Sequence, residues 1–366
     1  MHHRGDRPVE SVGGIALHLH GLLSDADHGV TKARWWLCIP VALLCLAIVD
    51  GGLWFWKPAP SRLPEQFSAA YLQRYVGELR GRRPIVFLGD SVLWGYRLPA
   101  DDAAASLLRH RFPNQPIVNL SYEGGSSANT YFMLRYLLAG GVRPALVVFN
   151  VNSKETNSAD SAYSRLHPSL EADVAPLLSA SDRKLLTLQP PPTLALHLEY
   201  AVADVWQLYR YRTDLREALF GTDDAAGAAR DWIQQLTGSA NLQAQAHRPT
   251  PDKFLGTYDL APLDRDNVDF TYLKRIAALL RAQRIPTVAF LTPTNHALLS
   301  DYIGVPEYGQ KLQQLAEALR EPNVTVFNWD RSMRTDEFLD NDHLTIEGNR
   351  RLATMLAPAM RARLPQ

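Results

Sequence analysis

A serine, a histidine and two aspartates stand in this sequence where acyl-transfer chemistry would want them. Ser91 closes the run Pro84-Ile85-Val86-Phe87-Leu88-Gly89-Asp90-Ser91, in which a short apolar segment stops at a glycine and a carboxylate. Asp340-Asn341-Asp342-His343 lies near the other end of the chain, just ahead of Thr345. Serine is a poor nucleophile at its free pKa and needs an adjacent base, which in turn needs an orienting group. His343 reads as the base, and either Asp340 or Asp342 as the orienter. A tetrahedral oxyanion also needs hydrogen-bond donors. The candidates are the Ser91 N–H, the Gly124 N–H in Asn119-Leu120-Ser121-Tyr122-Glu123-Gly124-Gly125, with Gly125 as its neighbour and rival, and the side-chain amide of Asn152 in Asn150-Val151-Asn152. Asp90 reads as a structural hydrogen-bond acceptor. This chemistry calls for no cofactor and no metal.

These residues need elements to hold them. The apolar run before Gly89 has the composition of a buried strand, which places Ser91 on a strand-to-helix turn. Further strands are expected at residues 117–120, 145–149, 287–291 and 324–328, each short and rich in Val, Ile and Phe. Helical spacing marks residues 128–138, stopped by Gly140-Gly141, and 268–283; Thr345 can cap a last helix running toward Arg363, with Pro358 a point where it could kink. Strands alternating with helices predict an α/β fold with a parallel sheet covered on both faces. In such sheets ligands bind outside the carboxyl ends of the strands, where all four segments fall. The stretch 154–267 breaks the rhythm. It reads as a helical insertion, with helices near 181–188, 194–220 and 225–236 and a polar connection from 241 to 266.

Of the 366 residues, 46% are hydrophobic, enough for a full core. Acidic and basic residues balance at 38 each, so nothing suggests a nucleic-acid partner. Residues 35–56 form the one long apolar stretch, with Trp35, Trp36, Trp54, Phe55 and Trp56 at its ends and Asp50 near the far one. Length and aromatic ends predict an uncleaved transmembrane anchor, preceded by a mobile tail over 1–34 and followed by a proline-containing linker over 57–66 and a catalytic domain over 67–366. Lysines and arginines flank both sides, Arg62 among them, and do not set its orientation. Both cysteines, Cys38 and Cys45, lie inside the stretch, which removes thiol and zinc-thiolate chemistry from the rest of the chain.

The four segments resemble the four blocks of the SGNH, or GDSL, hydrolase superfamily. Position by position, Ser91 matches the family's nucleophile, Gly124 its second-block glycine and Asn152 its third-block asparagine, while Asp340 and His343 match its Asp-x-x-His. The resemblance implies a flavodoxin-like three-layer α/β/α fold around a five-stranded parallel sheet. It also implies an acyl-serine mechanism on a short-chain ester of a carbohydrate or other cell-envelope molecule. Two departures stand out: the third block is usually Gly-x-Asn-Asp where this chain has Asn150-Val151-Asn152-Ser153, and Val92 replaces the leucine common after the first-block serine. An anchor together with Asp-x-x-His-Leu-Thr is similar to anchored members that act on envelope polymers, the polysaccharide O-acetyltransferases and the D-alanyl transfer protein. That likeness implies a domain outside the inner, or cytoplasmic, membrane and leaves an O-acyltransferase working with a membrane acyl-donor protein as the alternative, with a non-catalytic scaffold as a third class.

Other chemistry-bearing residues carry two readings each. Asn295 and His296, after the fourth strand, are either a polar turn or substrate contacts. Trp206, Tyr209, Tyr211 and Trp232 in the insertion are either helix packing or a glycan platform. Arg210, Arg212 and Arg216 read as a solvated helix face.

Overall fold

The computed structural model describes residues 35–55, 62–63, 71–157, 164–188, 194–212, 215, 254, 256–260, 263–264 and 266–365. The expected tail over 1–34, most of the linker and the helix at 225–236 with Trp232 lie outside them. The chain divides into two units, Met1–Trp56 and Lys57–Gln366.

The first unit contributes a single described helix, α1 (Trp35–Phe55), with Pro40 inside it. Its window Cys38–Phe55 has a mean hydropathy of 2.1 and is long and apolar enough to cross a membrane, by length and composition.

The second unit is built on five parallel strands: β1 (Ile85–Leu88), β2 (Ile117–Asn119), β3 (Leu146–Val151), β4 (Thr287–Leu291) and β5 (Val324–Asn328), in the order β2-β1-β3-β4-β5. β4 and β5 have the expected bounds. β3 runs two residues past the expected end, so Asn150 and Val151 belong to the strand and Asn152 is the first residue beyond it. The three inner strands are buried at every position, as strands covered on both faces must be, and apolar except at Thr287 and Asn150. Alternation then divides the side chains between two cores. Val86, Leu88, Val147, Phe149 and Ala289 join one, and Ile85, Phe87, Leu146, Val148, Val288 and Phe290 join the other.

Helices cover both faces. On the first lie α2 (Tyr71–Leu79), the nearby α5 (Ser127–Ala139) and α6 (Pro168–Val174), α10 (Val268–Gln283), α11 (His296–Ile303) and α12 (Pro306–Ala318). On the second lie α4 (Ala104–Arg109) and α13 (Ile346–Arg363), the latter capped by Thr345 and continuous through Pro358. The short α3 (Ser91–Trp94) follows β1, and the insertion carries α7 (Asp182–Leu185), α8 (Leu194–Val205) and α9 (Gln207–Arg210). The expected 194–220 helix is thus interrupted at Trp206, whose backbone is extended. The architecture is the three-layer α/β/α arrangement expected, with the flavodoxin-like strand order. That order reverses direction between β1 and β3, the crevice in which such folds hold ligands.

Candidate active site

Gly89 permits the turn that presents Ser91. Its φ is +141°, and a Cβ there would lie 2.0 Å from Asn150 Oδ1, the atom that accepts the Asp90 N–H. Asp90, not Ser91, caps α3: its carboxylate accepts from the Val92 N–H at 2.8 Å. The serine hydroxyl is left for other partners. As the first helical residue, Ser91 also has an N–H with no intrahelical acceptor and no partner among the described residues.

Ser91 Oγ lies 2.8 Å from His343 Nε2, and His343 Nδ1 lies 2.8 and 3.0 Å from the two oxygens of Asp340. The Asp-x-x-His spacing explains the second contact. Asp340 Oδ1 also accepts the backbone N–H groups of Asp342 and His343 at 3.2 and 2.9 Å, a tight turn that folds the carboxylate back onto the ring. Burial pushes the Asp340 pKa up, but the hydrogen bond and charge of His343 and the two backbone donors outweigh it and hold the group at about 2. An ionised Asp340 can only accept, so Nδ1 carries the proton and the Nε2 lone pair faces the Ser91 hydroxyl. The Tyr96 ring packs 4.2 Å from that of His343, centroid to centroid.

Asp342 is turned elsewhere. Its nearer oxygen is 3.7 Å from His343 Nδ1, while its Oδ2 accepts from Asn152 Nδ2 at 2.6 Å and pairs with the Lys154 ammonium. The other hydrogen of the Asn152 amide goes to Asp90 Oδ2 at 2.9 Å. Asn152 was expected to offer that amide to an oxyanion. It is instead saturated by two carboxylates and ties the nucleophile turn to the histidine loop. Asn150 also donates to Asp90, at 2.7 Å, and to Thr292 Oγ1 at 2.9 Å. Glu155 completes the cluster: burial, then the charges of Asp90 and Asp269 and a hydrogen bond to Asp90, raise its pKa well above the carboxylate range against the pull of Lys154. The shift favours the protonated form, the one that can donate to Asp90.

The loop after β2 is fastened to the same turn. Tyr122 N–H donates to the Gly89 carbonyl at 3.3 Å, and a Cβ on Gly125 would come within 2.3 Å of that oxygen. Gly125 spends its N–H on the Tyr122 carbonyl at 3.1 Å. Gly124 adopts φ +71°, is exposed, and has an N–H with no partner among the described residues. Of the two glycines, Gly124 has the free donor.

Several solved structures are similar in fold. TesA matches over 77% of this chain and 100% of its own, at 13% identity and a TM-score of 0.40. A family two carbohydrate esterase from Clostridium thermocellum, solved with cellohexaose, matches over 77% of this chain and 64% of its own, at 11% identity and a TM-score of 0.37. An acetyl xylan esterase matches over 75% and 98%, at 12% identity and a TM-score of 0.37. No protein-family model and no curated protein sequence matches the chain. At these scores and identities nothing about chemistry transfers from these structures to the chain.

Asn295 and His296 are engaged by the protein itself. Asn295 caps α11, donates Nδ2 to the Asp340 carbonyl at 3.0 Å and its N–H to the Asn341 carbonyl at 2.8 Å, so it braces the histidine loop. His296 Nε2 lies 2.6 Å from Asp330 Oδ2, and Tyr308 donates to the other Asp330 oxygen at 2.8 Å. In the insertion, Tyr211 is buried and Trp206 is exposed. The sequence pointed to no role for Tyr96, Lys154 or Glu155, and marked Arg62 only as a charge flanking the membrane segment. Lys154 and Glu155 adjoin the third block and could have been examined for that reason; Tyr96 and Arg62 carry no local signal.

Proposed function

We propose that this chain is an SGNH-type serine ester hydrolase that passes an acyl group through Ser91. The observation that carries the reading is the continuous hydrogen-bond chain from Ser91 Oγ through His343 to Asp340, both links 2.8 Å long, on loops at the carboxyl end of the sheet. Ser91 Oγ attacks the ester carbonyl carbon as its proton passes to His343 Nε2. The Ser91 and Gly124 N–H groups receive the oxyanion. Collapse breaks the ester C–O bond, and the departing alcohol takes the proton from His343. Water then attacks the acyl carbon and gives a proton to His343, and the second collapse returns it to Ser91 Oγ and frees the acid. Asp340 holds the histidine tautomer and stabilises the imidazolium formed in each half.

The substrate proposed is a short acyl ester, acetyl first, on a carbohydrate or other cell-envelope molecule. α1 as a single-pass anchor in the cytoplasmic membrane, with the second unit on the extracytoplasmic side, fits that substrate class. The same span favours one second reading, in which a sugar hydroxyl replaces water and a membrane protein supplies the acyl group.

The test uses the full-length chain in detergent. A fluorophosphonate should form a mass-detectable adduct on Ser91, and Ser91→Ala should lose the adduct and at least about 10³-fold of chromogenic acetyl-ester hydrolysis. Labelling and hydrolysis unchanged in Ser91→Ala overturn the proposal. Acetyl transfer to an oligosaccharide, measured beside hydrolysis, separates the two acceptors.

A further inference from the structure

α8 carries an apolar stripe that no described element covers. Leu194 is 75% exposed, Leu198 55%, Val202 38% and Val205 74%, and Trp206, one residue past the helix, 47%. With 3.6 residues per turn, these four helical positions and the exposed Ala201 fall on one arc of about 100°, the width of face a helix ordinarily buries. The opposite side faces inward, where Ala203 is buried, as are Gln207 and Tyr211 beyond it. By helical position Glu199 and Asp204 both fall outside that arc, so no charged position interrupts it. Isolated exposed apolar residues are ordinary; a contiguous stripe marks an interaction surface.

Two features indicate what the surface meets. Its end is aromatic and cationic: Trp206 stacks on Tyr209 with centroids 5.9 Å apart, the Arg212 guanidinium lies 3.8 Å over the Tyr209 ring, and Arg210 adjoins them. Such residues, apolar in body and polar at the tip, collect at the headgroup level of membranes. The chain also leaves α1 on a short tether. Only residues 56–61 separate its end from Arg62, which is bonded to the carbonyls of Trp94, Gly95 and Leu98 in the second unit. Fully extended, that stretch reaches about 25 Å. A bilayer crossed by α1 therefore lies within about that distance of Arg62.

We propose that the α8 stripe and Trp206 lie in the headgroup–acyl boundary of the bilayer that α1 crosses, as a second, peripheral membrane contact. This rests on the reading of α1 as a span. Such a contact would set which face of the catalytic unit meets that bilayer.

The experiment uses the full-length chain with Cys38→Ser and Cys45→Ser, reconstituted into vesicles of phosphatidylethanolamine and phosphatidylglycerol. Nitroxides are placed singly at Leu198→Cys, at Leu43→Cys in α1 and at the exposed Arg320→Cys. Collision with oxygen and with a water-soluble nickel chelate is read by electron paramagnetic resonance. The expected result is a Leu198 probe rich in oxygen and poor in nickel, about 5–10 Å below the headgroups, with Leu43 deeper and Arg320 in water. A Leu198 probe open to nickel overturns the proposal. So does one shielded from both reagents, because protein then covers the stripe, whether a partner, a second copy or another segment of this chain. Either failure with Leu43 in lipid removes the stripe contact alone. A Leu43 probe open to nickel removes the span and the proposal together.

Discussion

Asp340 and Asp342 are one residue apart from being neighbours, yet their carboxylates hold different partners. Asp340 faces His343 Nδ1 at 2.8 Å, and Asp342 faces Asn152 and Lys154. Asp340→Asn should therefore lower kcat by about 10³–10⁴-fold with little loss of stability, because the amide can donate to the ring and favour the wrong tautomer. Asp342→Asn should act chiefly on stability, costing about 3 kcal/mol by denaturant unfolding, because it breaks a buried pair. An exchange of these two outcomes would reassign the orienting acid. Asn152 follows the same logic. If it is a strap between Asp90 and Asp342, the effects of Asn152→Ala and Asp342→Asn on stability should couple by about 1–2 kcal/mol in a double-mutant cycle. Additive effects on stability, with kcat falling only in Asn152→Ala, would restore it to the oxyanion.

At the scale of elements, the nucleophile turn is held from three directions. The β2 loop reaches it through the Gly89 carbonyl, the β3 end through Asn150 and Asn152, and the entering chain through Arg62 and Leu63. Arg62, read from sequence as a charge flanking the membrane segment, is buried. Its guanidinium donates to Trp94, Gly95 and Leu98 carbonyls at 2.7–2.9 Å and lies 4.1 Å over the Trp94 ring, while Trp94 Nε1 donates to the Leu63 carbonyl at 2.6 Å. These carbonyls close the end of α3, a helix of four residues too short to stand alone. Arg62→Ala should cost about 3 kcal/mol and lower kcat more than it raises KM. Arg62→Lys should recover only part of the stability, because one ammonium cannot reproduce the planar fork.

The molecule as a whole keeps a cluster of buried acids beneath the site. Asp269 accepts the Ser127 N–H at the start of α5, yet burial outweighs that bond and raises its pKa to about 7; the Glu155 pKa is raised for the same first cause. Between the ordinary carboxylate range and about 7 the folded state holds a proton that the unfolded chain has released. Stability must then fall as pH rises through that window. Asp340, held at about 2, has the opposite sign, and its contribution is lost only as pH falls toward 2. Asp269→Asn should remove the first slope, so its Tm relative to the parent should rise as the buffer moves from pH 5 to above 7. A difference independent of pH would remove Asp269 from the proton inventory.

Much of this was legible in the chain, for reasons of short range. Strand positions follow from apolar runs bounded by Gly and Pro, the Asp340–His343 turn from a three-residue spacing that closes on itself, and the Thr345 cap from its hydroxyl reaching the Gly348 N–H. The parts list of the site came with them, because each block sits at a strand end whatever the strand order. What needed the tertiary structure was every choice among similar groups separated in sequence. The turning of Asp342 toward Asn152 and Lys154, the commitment of Asn152 to two carboxylates and the burial of Arg62 all depend on which atoms a distant segment brings within 3 Å. A hydrogen bond is decided at that distance, and a residue type does not specify it.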